Sequence, residues 1–60
     1  MAVKTIENKE IGVKWEIFKK SANEYFYKYY EYFQSIGWRL TGTSEMYTKD
    51  CLEYELDTVL

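Results

Sequence analysis

Residues 21–37 read Ser21-Ala22-Asn23-Glu24-Tyr25-Phe26-Tyr27-Lys28-Tyr29-Tyr30-Glu31-Tyr32-Phe33-Gln34-Ser35-Ile36-Gly37, and the structure assigned to them decides the fold. Two assignments compete. In the first, Ser21 caps a helix, Glu24 completes an S-x-x-E capping box, and Gly37 ends it as the residue after the C-cap. Phe26, Tyr29, Tyr30, Phe33 and Ile36 then share a helical face. In the second, 12–20 and 24–31 form a β-hairpin around Ser21-Ala22-Asn23, because Asn tolerates the left-handed conformation that such a loop requires. The hairpin register is chemically consistent. Lys20 faces Glu24, Glu16 faces Lys28 and Phe18 faces Phe26, while on the other side Trp15 meets Tyr29 and Ile17 meets Tyr27. Opposite charges and ring pairs directly across strands each contribute about 0.2–1 kcal/mol. Tyr and Phe also favour strands, and the hairpin is the preferred reading.

Outward from this stretch the pattern is easier to read. Val13, Trp15 and Ile17 alternate with Lys14 and Glu16, the mark of a half-buried strand. At the C-terminus Leu52, Tyr54, Leu56 and Leu60 fall on one side and Glu53, Glu55 and Asp57 on the other, which predicts another strand. Residues 1–10 carry no sustained period and are expected to form a flexible arm, leaving 11–60 as a single small α+β domain. The expected architecture is a three-stranded antiparallel sheet with one helix, in the order strand-strand-helix-strand. Its helix lies within 32–50, interrupted or bounded by Gly37 and Gly42. Strand-helix-strand-strand is the alternative.

Composition excludes several classes of function. The chain has 60 residues, no histidine and one cysteine. Without His the usual general base near neutral pH is missing, and Cys51 has no partner for a disulfide or for activation; it reads as a small half-buried thiol. Phosphate loops, zinc spacings and nucleotide fingerprints are absent, so neither an enzyme nor a cofactor or metal site is expected. The net charge of −2 argues against a nucleic-acid binder. No apolar run approaches the roughly 20 residues of a membrane helix, and the lone thiol suits a reducing, cytosolic setting. A domain this small buries only about 60% of its unfolded surface, and oligomerisation is a common remedy. Three Phe, two Trp and seven Tyr exceed the needs of one small core, so some rings should meet another chain.

Two segments carry a resemblance. Tyr29-Tyr30-Glu31-Tyr32 and the closing Leu56-Asp57-Thr58-Val59-Leu60 resemble the small uracil-DNA glycosylase inhibitors of Bacillus phages. That family has a YYEY run in its middle and ends in Leu-Asp, one variable residue, then Val-Leu. The resemblance implies a homodimer of three antiparallel strands and one helix per subunit, acting in the host cytoplasm. Such a dimer mimics DNA, fills the DNA-binding groove of the host uracil-DNA glycosylase, and takes the enzyme's intercalating side chain into an apolar pocket between subunits. It touches neither nucleic acid nor membrane itself. The family's helix presents Phe-Glu and, three residues beyond the Glu, a Tyr. Those positions fall on Gly37, Trp38 and Thr41 here, which departs from the pattern. Ile36 and Trp38 are the nearest substitutes for the ring and Glu45 for the acid.

The candidate contacts follow. Same-face residues of a strand recur about every 6.5–7 Å, so Glu53, Glu55 and Asp57 would form an acidic ladder able to stand in for phosphates, or the solvated face of an edge strand. Glu31, set among tyrosines, is a candidate acceptor for a basic partner, or an ordinary exposed residue. Tyr32, Ile36, Trp38, Leu40 and Tyr47 could line the receiving pocket or fill a core. Phe33, Leu52, Tyr54 and Leu56 are assigned to the dimer seam. Two other functions compete: a small regulatory or protein-interaction module without DNA mimicry, and a single-strand binder that stacks bases on tyrosines.

Overall fold

The computed structural model describes residues 2–60. It contains β1 (Lys4–Asn8), β2 (Val13–Ser21), β3 (Glu24–Phe33), β4 (Gly37–Thr43) and α1 (Lys49–Leu56). The strands form one antiparallel sheet in the order β1-β2-β3-β4, each paired with its neighbour in sequence.

The contested stretch is strand. Trp15, Glu16, Ile17 and Phe18 stand opposite Tyr29, Lys28, Tyr27 and Phe26, as the hairpin register requires. The fifth anticipated pair is displaced: the register shifts between Lys19 and Ser21, so Ser21 rather than Lys20 faces Glu24. Ser21 Oγ donates to Glu24 Oε1 at 2.6 Å. The residues that could have capped a helix thus close a turn instead. Gly37 does adopt the left-handed conformation that its helix-ending role would require, with φ 80°, but it serves the β3–β4 turn.

The three-stranded expectation is corrected to four strands with a C-terminal helix, and three segments account for the difference. Lys4–Asn8, expected in a flexible arm, pairs along β2 from Lys4↔Ile17 to Asn8↔Val13. Asn8 makes the return possible, because its Oδ1 accepts from the backbone N–H groups of Glu10 and Ile11 at 3.1 and 3.3 Å, a side-chain substitute for turn hydrogen bonds. Gly12, at φ 67°, completes that turn. Residues 37–43, inside the 32–50 segment expected to hold the helix, are instead a strand paired with β3, and a bulge leaves Thr41 without an opposite residue between Tyr30↔Leu40 and Tyr29↔Gly42. Segment 49–56 is helix, not the closing strand. Thr48 is its N-cap, with Oγ1 accepting from Cys51 N–H at 3.3 Å, and Asp57 ends it in the left-handed region at φ 49°. Cys51 is exposed there rather than half-buried.

The core is small. Ile17 and Leu52 are fully buried and Tyr25 nearly so, with Ile6, Tyr27, Tyr47, Leu56 and Leu60 packed around them. Leu52 and Leu56, four apart, lie on the same side of α1. Burying each aliphatic side chain contributes about 1.5–3 kcal/mol. After β4 the chain continues alongside β3: Tyr47 bridges Tyr25 through backbone hydrogen bonds of 2.7 and 2.8 Å, and its ring stacks on Tyr27 at 6.2 Å. The helix therefore lies against one end of one face of a sheet in a molecule 38 Å long and 18 × 17 Å across.

Candidate interaction face

Register dictates which rings share the face away from α1. Ile17, Tyr25 and Tyr27 belong to the helix-covered side, so their neighbours along the strands point oppositely. That second face carries Glu16 and Phe18 of β2, Phe26, Lys28, Tyr30 and Tyr32 of β3, and Trp38 and Leu40 of β4, together with Lys14. The helix packs against β3 from the other side, and among the described residues no element covers this face.

Its side chains are organised by contact with each other. Phe18 and Phe26 stack at 5.2 Å with planes 17° apart, and Tyr32 meets Trp38 edge to face at 5.3 Å and 70°. Both are cross-strand pairs. Lys14 Nζ lies 4.9 Å from the Tyr30 ring centre and 4.6 Å from that of Trp38, and Lys28 Nζ lies 5.1 Å from Phe18. Ammonium groups at these positions are attracted by the ring quadrupoles, so the lysines are held on the face beside the rings. The Glu16 carboxylate, as a hydrogen-bond acceptor, raises the Tyr30 phenol above its ordinary value, with burial and the carboxylate's charge adding to it. At the end remote from the helix, Gly12, Tyr32, Trp38 and the stems of Glu7 and Lys9 enclose an open hollow of about 240 Å³. Glu7 and Lys9 form a 3.9 Å ion pair at its rim.

The anticipated site residues are dispersed. Tyr32, Trp38 and Leu40 do share the open face. Ile36 sits in the β3–β4 turn, 61% exposed, and Phe33 at the end of β3. Glu31 lies on the opposite face, its Oε1 accepting from Thr41 Oγ1 at 3.1 Å. Glu45 is exposed beyond β4, and Tyr47 packs on the core. The acidic ladder does not exist. On a helix Glu53 and Asp57 are one turn apart while Glu55 points elsewhere; Glu53 Oε2 accepts from Leu60 N–H at 2.7 Å and Asp57 is the C-cap. Nor do Leu52, Tyr54 and Leu56 line a common seam, since Leu52 is fully buried within its own subunit and Tyr54 is 90% exposed. Tyr54 would share their face only on a strand.

Phe18, Phe26 and Tyr30 were not among the anticipated contacts, although the alternation that paired Phe18 with Phe26 already placed them together. What was lacking was knowledge of which face the C-terminal segment covers. Among the described residues, no group of His, Cys, Asp or Glu is arranged to hold a metal ion, and no helix is long and apolar enough to cross a membrane. The chain matches no family model, no curated protein and no solved structure.

Proposed function

We propose that this chain is a non-enzymatic protein-interaction module whose binding surface is the open aromatic face of its sheet. The observation that carries this reading is the uncovered row of two ring pairs, Phe18–Phe26 and Tyr32–Trp38, with Lys14 held over both Tyr30 and Trp38 and Lys28 over Phe18. Interface centres are enriched in such aromatic groups, and interleaved acids and bases at their margin give orientation. A benzophenone amino acid at position 26 should cross-link a protein partner in cells, whereas the same group at position 54, exposed on the helix, should not. Equal capture at both positions, or cross-links to nucleic acid alone, overturns the reading.

The hollow at Tyr32 and Trp38 favours a second, more particular reading: inhibition of a uracil-DNA glycosylase as a DNA mimic. A competitor for such an enzyme needs a receptor for its intercalating side chain, and the open hollow of about 240 Å³ at Gly12, Tyr32 and Trp38, with the Glu7–Lys9 pair at its rim, is the candidate for one. The acidic ladder no longer supports it. Uracil excision titrated with the protein decides the matter: inhibition relieved by Trp38→Ala supports this reading, and full activity at molar excess rejects it.

A further inference from the structure

We infer that the hollow walled by β1, β2, α1 and the 58–60 segment is a binding site for a small organic phosphate, a phosphomonoester with an apolar body. The hollow measures about 470 Å³, within the range of small-molecule sites. Lys4 of β1, Lys19 of β2 and Lys49, the first residue of α1, line it. Lys19 stands opposite Tyr25 of the core, so the site is on the helix side of the sheet and does not rest on the open aromatic face. The chain has an excess of acid, net −2, yet three of its eight basic residues meet here and no acidic side chain lines the hollow. Among the described residues the ion pair is Lys9–Glu7, and the ammonium groups of Lys4, Lys19 and Lys49 pair with no carboxylate.

The walls are tied in place. Lys4 Nζ donates to Thr58 Oγ1 at 2.6 Å and to Val59 O at 2.8 Å, and Leu60 N–H donates to Glu53 Oε2 at 2.7 Å. These bonds strap the 58–60 segment from α1 to β1. An ammonium has three donors, so Lys4 keeps one for a ligand. Lys19 Nζ stands 5.9 Å from the centre of the nearly buried Tyr25 ring, while Lys49 is exposed at the start of the helix. Ammonium groups act as point charges suited to phosphate. Three of them exceed what one carboxylate neutralises. A phosphomonoester carries about −1.5 to −2 near neutral pH and has three acceptor oxygens, one for each lysine. Val3, Tyr25, Val59 and Leu60 supply apolar wall that an inorganic ion would leave unused.

Amide NMR titration with phenyl phosphate tests the inference. The signals of Lys4, Tyr25, Lys49 and Leu60 should move. Binding should be tighter than for inorganic phosphate, which lacks the apolar body, and than for benzoate, which lacks the second charge. Lys19→Gln and Lys49→Gln, at exposed positions, should each weaken it about threefold, and the double variant about tenfold. Lys28→Gln removes the same charge from the open face and should leave the affinity unchanged. No saturation at millimolar phenyl phosphate overturns the inference. So do equal affinities for the three probes, or an equal loss from Lys28→Gln, because either outcome reports diffuse charge attraction. Binding to phosphatidic acid vesicles without binding to phenyl phosphate would place the phosphate on a membrane surface and overturn the small-molecule assignment.

Discussion

Tyr30 and Glu16 illustrate how single residues on the open face are coupled. The acceptor carboxylate favours the protonated phenol, so the folded-state value is raised above that of the unfolded chain. The contribution is therefore complete below pH about 10 and fades as pH rises through the folded value. Denaturant midpoints of the native protein should fall more steeply above pH 10 than those of Tyr30→Phe, and parallel curves would remove Glu16 from this role. The glycines give a second residue-scale contrast. Gly37 has φ 80° and open space around its Cα, so Gly37→Ala meets no clash but leaves alanine in a left-handed conformation. That costs about 1–2 kcal/mol. Gly42 also faces open space but has no positive φ, and Gly42→Ala should change urea stability by less than about 0.5 kcal/mol.

The element most dependent on its surroundings is α1. Eight residues are too few for a stable isolated helix, so Leu52 and the cap hold it. Leu52→Ala should cost about 2–5 kcal/mol in urea unfolding, because the side chain is fully buried and its loss leaves a cavity. Thr48→Ala should cost about 1 kcal/mol through loss of the cap. Tyr54→Ala, at a position 90% exposed, should be close to neutral. The hairpin behaves differently. Four of its pairings follow from alternation and cross-strand chemistry alone, and its turn forms from Ser21 and Glu24 themselves. The 49–60 segment was misread because leucines four apart satisfy a period of 2 and a period of 3.6 equally. Tyr54, set between them, favoured the strand, whereas Thr48 as an N-cap pointed to the helix only as a weak local signal.

At the scale of the whole molecule, most aromatic surface lies outside the core. Phe18 and Phe26 are partly exposed, whereas Ile17 and Leu52 are fully buried. A Phe18→Ser/Phe26→Ser double variant should therefore lose less stability than Leu52→Ala despite removing far more apolar surface. A larger loss would show that the open face supports folding rather than binding. The sequence by itself carried four of the five β2–β3 pairings and the sharing of a face by Phe18 and Phe26, because alternation acts between near neighbours. The turn did not follow, since Asn23 does not adopt the expected left-handed conformation and Ser21 rather than Lys20 faces Glu24. Tertiary structure decided that 4–8 and 37–43 become flanking strands, since neither segment has a strong period and each gains order from the edge it joins. It also decided that 49–56 coils into a helix on the Ile17 side. Burial of Leu52 against that face, a contact between segments far apart in the chain, selects the helix and leaves the opposite row of rings open to solvent.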